Sequence, residues 1–264
     1  MTLCGSLSRL ASPLGRSMHE AGYRALGLAF TYVPFEVADL GGALVGMRAL
    51  GIRGFGVSHP FKQAILGLVD ALDPTAERVG AVNTVVNTGG RLVGHNTDGL
   101  GAMRALEEAR SLRGARVLLV GAGGAARAIA FGLRDRGAVT TIANRDRAKA
   151  EELGAVTGAR SAGLDEAERA GDYDVVVNAT IVGQAGTNAE SLVPESALHA
   201  GQVVMDIVAK PTRTPLVEAA EKRGATAVHG GRMLLYQAAS QFELYTGAAA
   251  PIAAMAEALQ ASDR

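Results

Sequence analysis

This 264-residue sequence is poor in cysteine and carries no net formal charge. It contains one cysteine, Cys4, and no tryptophan. A single cysteine cannot form an intramolecular disulfide, which suits a reducing compartment, so we expect a cytoplasmic protein. Lys plus Arg total 26 and balance a total of 26 for Asp plus Glu. No net positive field therefore favours a nucleic acid or an anionic membrane as a partner.

Long apolar runs are also missing. No run of about 18 apolar residues occurs, and the N-terminus, MTLCGSLSRL, has no charged head before an apolar stretch. We therefore expect neither a signal peptide nor a membrane span. Because 48% of the residues are hydrophobic, a chain of this length can bury the core of one large domain or of two small ones. No spacing of His, Cys or carboxylates indicates a metal site.

The first part of the chain alternates strand-like and helix-like segments. Residues 30–37 and 54–58 are typical of strands, and residues 40–52 of an amphipathic helix. Residues 61–72 space their apolar side chains at helical intervals, which predicts a further helix. This order favours a parallel sheet with helices packed against it.

A hairpin and a helix are predicted next. Apolar runs at 81–86 and 91–93 flank the turn signal NTGG, a pattern typical of a β-hairpin. Asp98 follows the hairpin and precedes the helical pattern LGAMRALEEA.

The remaining chain repeats the alternation and predicts a second α/β domain. The short apolar strand 116–120 is broken by GAGGAARA, and the helix 125–133 that follows is ended by Gly137. Further strands are predicted at 138–144, 174–180 and 202–208, and a helix at 232–247.

The glycine-rich loop points to a dinucleotide. Gly121, Gly123 and Ala126 fit the spacing G-x-G-x-x-G/A between a strand and a helix, with a second strand following. Residues without bulky side chains let backbone N–H groups approach a pyrophosphate at the helix N-terminus. A tight strand–helix turn in some other α/β protein is the alternative.

The residues after the second strand of this unit favour NADP. Asn144 and Arg145 stand where an NAD-binding site carries an acidic residue, and Arg147 and Lys149 follow closely. Guanidinium groups suit a 2′-phosphate. Asp146 acts against this, so NAD remains an alternative, and these residues can equally be solvated charges that open the next helix.

Seven motifs together resemble the shikimate dehydrogenase family. VSHPFK, AVNTVVN, GHNTDG, GAGGAARA, NR, VVNAT and GGRMLLYQAA occur in the family's order and cover nearly the whole chain. The resemblance implies reversible hydride transfer between NADP(H) and the shikimate/3-dehydroshikimate pair of aromatic amino acid biosynthesis. It also implies two α/β domains with a cleft between them. Residues 1–104, completed by helices in 232–264, would bind substrate, and residues 105–231 would form the Rossmann domain.

The same resemblance assigns roles by motif. Lys62 and Asp98 would be the catalytic, proton-relaying pair. The substrate, a small shikimate-like ring acid, would be bound by Ser6, Ser8, Ser58, Asn83 and Gln237. The cofactor would be bound by Gly121, Ala122, Gly123, Gly124, Ala125, Asn144, Arg145, Thr180 and Val208.

Each of these residues also has a simpler interpretation. Lys62 alone could be a solvated lysine in a first helical turn, and Asp98 or Ser58 could cap a helix. Asn83 could belong to a strand end, and Gln237 could be an exposed helix position. Their common family order, beside an independently argued dinucleotide fold, favours the functional interpretation.

Departures from the family pattern leave the substrate open. The resemblance implies a serine-containing loop near the N-terminus. Only Ser12 there directly precedes a proline, whereas Ser6 and Ser8 have the spacing of a carboxylate-binding pair. The other departures are Gly56, His59, Ala209 and Arg232. They are closer to quinate/shikimate or shikimate dehydrogenase-like enzymes that act on a related ring hydroxy acid. A non-catalytic sensor of ring acids is a further alternative, and the assembly can be a monomer or a homodimer.

Overall fold

The computed structural model describes residues 1–10, 13–58, 60–187 and 190–262. The chain forms two compact units, one made of residues 1–97 and 235–264 and the other of residues 98–234. Each unit contains a six-stranded sheet with helices, which confirms the predicted α/β class. The expected boundaries between the substrate-binding domain and the cofactor-binding domain, at residues 104 and 231, stay a prediction.

The first unit begins with a strand and alternates strands with short helices. Its elements up to the division are β1 (Thr2–Ser8), α1 (Pro13–Ala25), β2 (Phe30–Glu36), α2 (Leu40–Ala49), β3 (Gly54–Val57), α3 (Phe61–Ala64), β4 (Ala71–Leu72), α4 (Pro74–Val79), β5 (Thr84–Thr88) and β6 (Arg91–His95).

The second unit alternates strands and helices, with 3-10 helices at Leu164–Asp172 and Glu195–Ala197 separating β9, β10 and β11. Its elements are α5 (Asp98–Glu107), β7 (Arg116–Val120), α6 (Gly124–Asp135), β8 (Val139–Ala143), α7 (Arg147–Thr157), β9 (Arg160–Ala162), β10 (Val175–Asn178), β11 (Val203–Asp206), α8 (Pro215–Lys222) and β12 (Thr226–Val228). Two C-terminal helices follow, α9 (Gly230–Thr246) and α10 (Ile252–Ala261). None of the helices in the described ranges has the length and apolarity that crossing a bilayer requires.

The sheet of the first unit has the strand order β2-β1-β3-β5-β6-β4. β1 pairs in parallel with β2 and β3, and β4 pairs in parallel with β6. β5 is antiparallel to both β3 and β6. The start of β5 therefore lies at the edge where β1, β3 and β6 end. The predicted hairpin at NTGG is confirmed by the β5–β6 pair.

The two faces of this sheet bury different side chains. One face holds an aliphatic and phenylalanine cluster that includes Leu7, Phe55, Val57 and Val85. Strand residues alternate between faces, so Ser6, Gly56 and Thr84, which are register partners across β1, β3 and β5, lie on the opposite face.

The sheet of the second unit is wholly parallel, in the order β12-β11-β10-β7-β8-β9. Read outward from β7, this is the doubly wound order 3-2-1-4-5-6 of dinucleotide-binding folds. All four residues of β10 and of β11 are buried, as are the last four of β7. Continuous burial explains why these strands are apolar runs without alternation.

The helix predicted over residues 61–72 is wrong beyond its first turn. Only α3 is α-helical, a 3-10 turn follows at Leu66–Leu68, and β4 then pairs with β6. Asp70, between the turn and β4, accepts a hydrogen bond from the backbone N–H of Leu92 at 2.6 Å and forms an ion pair with Arg48. Pairing with the distant hairpin therefore replaces the helix that the local spacing indicates.

The N-terminal stretch, expected to be a loop that carries Ser6 and Ser8, is the strand β1. Its composition conceals this, because glycine and serine are not typical strand residues. Gly5 is required, since a side chain there would overlap the carbonyl oxygen of Val33 in β2. A close backbone approach thus explains an atypical strand sequence.

His19 on α1 is fully buried in this unit. Its ring stacks on that of Tyr32, with the ring centroids 4.4 Å apart and an interplanar angle of 4°. Among the described residues, neither ring nitrogen has a hydrogen-bond partner. Burial lowers the pKa of His19 from 6.5 to about 3, and the Gln241 side chain opposes this only in part. The folded protein therefore holds this imidazole neutral.

We expect His19 to make the protein acid-sensitive. In the unfolded chain His19 gains a proton below its ordinary pKa, whereas in the folded chain it does so only near pH 3. The free energy of unfolding should thus fall by about 1.4 kcal/mol per pH unit below pH 6.5. Urea denaturation at pH 7.5 and pH 5 should show this loss in the wild type and about 2 kcal/mol less of it in His19→Phe. Equal losses in both proteins would contradict a neutral, buried His19.

Candidate functional site

The predicted substrate-side residues gather at one edge of the first unit's sheet. Ser8 ends β1, and Ser58 directly follows β3, with its N–H donating to the carbonyl of Leu7 at 3.0 Å. The N–H of Val57 donates to the carbonyl of Asn83 at 2.7 Å, which places Asn83 beside the end of β3. Parallel sheets carry functional residues at the carboxyl ends of their strands.

Ser6 and Ser8 lie on the same face of β1, because strand residues two apart point to the same side. Ser8 is buried and its hydroxyl donates to the carbonyl of Leu10 at 2.8 Å. Burial raises the pKa of Tyr32, and the nearby Ser6 side chain opposes that shift. The two serines therefore share one face of β1, and their role in binding a carboxylate stays a prediction.

Asn83 is buried and its side-chain amide is extensively hydrogen-bonded. Its Oδ1 accepts from the N–H of Thr97 and from the hydroxyl of Thr84, each at 2.8 Å. Its Nδ2 donates to Thr97 Oγ1 at 2.9 Å and to Gln237 Oε1 at 3.1 Å. Gln237, which lies on α9, is thus brought to the same edge as Asn83.

Lys62 is the second residue of α3 and is half-buried. Its carbonyl accepts from the N–H of Val82 at 2.8 Å, so its backbone lies next to the segment that carries Asn83. Asp98 is buried and belongs to the second unit, where it is the first residue of α5. It directly follows Thr97 in the chain.

The glycine-rich loop lies at the carboxyl end of β7, where the strand order reverses toward β10. Gly121 has φ +118°, and a Cβ there would meet the carbonyl oxygen of Ala179 at 3.0 Å and Thr180 Cγ2 at 3.1 Å. Only glycine suits this position. Around Gly123 and Gly124, by contrast, an added Cβ would meet no described atom within 4 Å.

The start of α6 fits a phosphate group. Gly123 is the N-cap residue and offers no side-chain cap to the first backbone N–H groups, which belong to Gly124 and Ala125 among others. With Ala122 and Gly121 in the turn before it, the loop presents backbone without bulky side chains. A helix N-terminus of this kind binds pyrophosphate, so the residues present fit a dinucleotide.

Asn144 and Arg145 follow β8 at the same sheet edge. The Asn144 amide donates to the carbonyl of Asp146 at 2.9 Å. Arg147 pairs with Glu151 at 3.2 Å, and Lys149 pairs with Asp146 at 3.8 Å. Within the described ranges no ion pair involves Arg145, so Arg145 is the cation of this group whose charge no carboxylate offsets.

Thr180 and Val208 are held by a buried polar pair, Asn178 and Asp206. Asn178 Oδ1 accepts from the hydroxyl of Thr180 at 2.7 Å, and its Nδ2 donates to Asp206 Oδ1 at 3.0 Å. Asp206 Oδ1 also accepts from the N–H of Val208 at 3.0 Å, and Oδ2 from the Thr214 hydroxyl at 2.7 Å. Burial raises the pKa of Asp206, and these three donors oppose the shift.

Sequence reasoning did not identify five of these residues. Three surround Asn83 and two connect β10 with β11; they are Thr84, Thr97, Gln241, Asn178 and Asp206. Signals were present, since Thr84 and Thr97 lie within AVNT and GHNTDG, and Gln241 follows Gln237 by one helical turn.

Two of the departures from the family pattern have visible contacts. A Cβ at Gly56 would lie 3.1 Å from the Tyr32 hydroxyl oxygen and 3.4 Å from Gln241 Nε2, so those polar groups fill its surroundings. Arg232 forms an ion pair with Glu108. Ser12 and His59 lie outside the described residues. In the described part of the chain, no three His, Cys, Asp or Glu side chains cluster as metal ligands would.

Three family models match the chain. The model of the shikimate dehydrogenase substrate binding domain matches residues 8–85, that of shikimate / quinate 5-dehydrogenase matches residues 103–219, and that of the shikimate 5'-dehydrogenase C-terminal domain matches residues 230–260. The first match lies within the first unit and the second within the second unit, whereas the third begins in the second unit and continues into the first.

Several individual proteins are similar to this chain over nearly its full length. The shikimate dehydrogenase (NADP(+)) of Natronomonas pharaonis is 47% identical over 93% of this chain and 93% of its own. A crystal structure of a shikimate dehydrogenase in complex with NADP+ matches with TM-score 0.94 at 33% identity, over 100% of this chain and 96% of its own. The Thermus thermophilus shikimate 5-dehydrogenase in complex with NADP(H) and shikimate matches with TM-score 0.88 at 34% identity, over 99% of this chain and 100% of its own.

Proposed function

Because the chain belongs to the shikimate dehydrogenase family, we propose that it is an NADP-dependent oxidoreductase that interconverts shikimate and 3-dehydroshikimate. The observation that carries this proposal is the polar edge of the first unit, where Ser8, Ser58 and Asn83 meet at the ends of neighbouring strands. Such a set suits a small ligand rich in hydroxyl groups, with a carboxylate.

The second unit supports the cofactor part of the proposal. Its doubly wound sheet, the open surroundings of Gly123 and Gly124, and the N-terminus of α6 suit a pyrophosphate. Arg145, unpaired within the described ranges, suits the 2′-phosphate that distinguishes NADP from NAD. When bound, the nicotinamide group accepts or returns the hydride.

Oxidation of a secondary alcohol also releases a proton, and the chain itself must supply an acceptor. We assign this to Lys62 and Asp98. In the reduction direction the Lys62 ammonium donates a hydrogen bond to the carbonyl oxygen, stabilises its developing negative charge and gives it a proton. In the oxidation direction the neutral Lys62 amine accepts the hydroxyl proton, and the Asp98 carboxylate takes part in passing that proton onward. Support comes from the place of each residue in its own unit, Lys62 next to the Asn83 segment and Asp98 directly after Thr97.

Substrate selection is assigned to the first unit. Ser6 and Ser8, together with Ser58, bind the carboxylate. Gln237 binds a ring hydroxyl group, and Asn83, whose amide is already fully hydrogen-bonded within the protein, orients Gln237. The spacing of the two serines on one face of β1 supports this, since a carboxylate accepts from two donors on the same side.

The remaining assignments concern the surroundings of the protein. We place it in the cytoplasm as a monomer or homodimer, without nucleic acid or membrane partners. Balanced charge supports the absence of a nucleic acid. Cys4 is buried, and burial raises the pKa of its thiol to about 11, which keeps it unreactive.

A substrate-by-cofactor panel tests the proposed function. Shikimate, quinate and cyclohexanol are each incubated with NADP⁺ or NAD⁺, and formation of the reduced cofactor is followed by absorbance. We expect shikimate with NADP⁺ to be turned over best and cyclohexanol, which lacks the carboxylate, to be turned over poorly. A preference for quinate or NAD⁺ would favour a quinate/shikimate enzyme, and no turnover of any ring acid would favour a sensor.

Replacing Arg145 with Ala should raise the Michaelis constant for NADP⁺ about ten- to a hundredfold and leave that for NAD⁺ nearly unchanged. A charge-assisted phosphate contact is worth about 1.5–3 kcal/mol, at about 1.4 kcal/mol per decade. Arg147→Ala is the matched control, because Arg147 is already paired with Glu151. Equal losses for both cofactors would refute the assignment of Arg145 to the 2′-phosphate.

Lys62→Ala and Asp98→Ala should each lower the turnover number about 10²–10⁴-fold, the usual contribution of a positioned acid or base. The double variant should lose much less than the product of the two, because residues that act as a unit are not additive. Binding of NADP⁺ should stay near that of the wild type. Lys222→Ala is the control, since this exposed lysine pairs with Glu195. Near-normal turnover in Lys62→Ala would remove the catalytic assignment.

A further inference from the structure

Two glutamines one turn apart on α9 contact the first residues of β5. Gln237 Oε1 accepts from Asn83 Nδ2. Gln241 Nε2 donates to the backbone carbonyl of Asn83 at 3.1 Å and to Thr84 Oγ1 at 2.9 Å. Gln241 is 5% exposed and Thr84 is fully buried, so water cannot readily replace either contact. Nothing in the proposed function assigns a role to Gln241 or Thr84.

The direction of each hydrogen bond follows from groups that can only donate or only accept. A backbone carbonyl only accepts, so Gln241 must turn its NH₂ group toward Asn83. The Thr84 hydroxyl accepts from that NH₂ group and has a single proton. This proton goes to Asn83 Oδ1 at 2.8 Å. Gln241 thereby determines, through Thr84, which end of the Asn83 amide accepts.

Thr97, which also contacts the Asn83 amide, requires the same orientation of that amide. Its backbone N–H can only donate, and it donates to Asn83 Oδ1. Its hydroxyl donates to the backbone carbonyl of Gln237 at 3.1 Å, so it must accept from Asn83 Nδ2. The second proton on Asn83 Nδ2 then goes to Gln237 Oε1. With its oxygen engaged in this way, Gln237 offers its Nε2 protons to any ligand at this edge.

We propose that Gln241 and Thr84 are positioning residues for substrate recognition. They lock the Asn83 amide in one orientation and, through it, make Gln237 a hydrogen-bond donor toward the ligand. The ligand must therefore present an acceptor oxygen, such as a hydroxyl or carboxylate, to Gln237. This inference rests on the proposed function and adds to it the polarity of the Gln237 contact.

Loss of the Thr84 or Gln241 hydrogen bonds leaves Thr97 as the remaining restraint on the Asn83 amide, so a larger fraction of molecules can adopt the turned orientation. An amide that turns by 180° exchanges its donor and acceptor ends, and Gln237 would then present its oxygen to an acceptor on the ligand. Apparent affinity falls in proportion to the fraction of molecules in the competent orientation. Bound substrate selects that orientation, so the Michaelis constant for the ring acid should change more than the turnover number.

Four variants test the proposal. Thr84→Val keeps the shape and removes the hydroxyl, whereas Thr84→Ser keeps the hydroxyl. Gln241→Met keeps the length of the side chain and removes its donor. Ser240→Ala is the matched control on the same helix, because the buried Ser240 hydroxyl bonds only to the carbonyl of Tyr236 among the described residues, outside the Asn83 network.

In steady-state kinetics we expect Thr84→Val and Gln241→Met to raise the Michaelis constant for shikimate about tenfold, the usual effect of removing one hydrogen bond at a buried site. The Michaelis constant for NADP⁺ should stay unchanged and the turnover number should change less than about threefold, as expected when an interaction stabilises the bound ground state and the transition state equally. Thr84→Ser and Ser240→Ala should resemble the wild type. Equal increases in Thr84→Val and Thr84→Ser would indicate packing alone and overturn the proposal.

A substrate-free measurement separates this proposal from the proposed function. In ¹⁵N-labelled protein without ligand, the side-chain NH₂ signal of Asn83, whose two protons are both hydrogen-bonded, should exchange slowly with solvent in the wild type. The Asn83 signal should exchange faster in Thr84→Val and Gln241→Met, but not in Ser240→Ala. If shikimate is not turned over, the proposed function fails while this signal still tests the lock. Unchanged exchange in Thr84→Val would overturn the lock whatever the kinetics show.

Discussion

The reversed direction of β5 is the constraint on which the polar edge of the first unit depends. β5 is antiparallel to its neighbours β3 and β6, so its first residues lie where those strands end. In a parallel orientation they would lie at the opposite edge, about 17 Å away for a five-residue strand. The reversal needs a tight turn, and Gly89 and Gly90, with φ +60° and +91°, supply the left-handed backbone that such turns require. The antiparallel pairing of β5 with β3 and β6 thereby places Asn83 beside Ser58 and Thr97.

A comparable constraint operates in the second unit. Asp206 is buried at the end of β11, where an unpaired carboxylate would be costly. Three donors from β10, from the β11 loop and from the start of α8 satisfy it. The same hydrogen bonds hold the loops that carry Thr180 and Val208. Both units thus use a buried, fully bonded polar side chain to position the backbone at the edge that carries the candidate site residues, because in a low dielectric such bonds are strong when complete.

Local signals predicted much of the fold. β7 has the predicted bounds 116–120, and the hairpin and the helix after the glycine loop were placed correctly, because each depends on neighbouring residues. The failures share a non-local cause. The helix expected over residues 61–72 gives way to pairing of β4 with β6. The strand β1 was not predicted, because its glycine, Gly5, is required by the close approach of the Val33 carbonyl, which lies twenty-eight positions away in the chain.

At the candidate site, the available chemical groups and their order along the chain follow from the sequence, because motif spacing and residue type are local properties. The orientation of these groups follows from the folded chain, which brings distant segments together. Asn83 and Gln237 are separated by 154 positions, and the polarity of their contact depends on Thr84, Thr97 and Gln241, which three separate segments contribute. An amide side chain has no preferred direction of its own; the donors and acceptors that the fold packs around it determine which end faces the ligand.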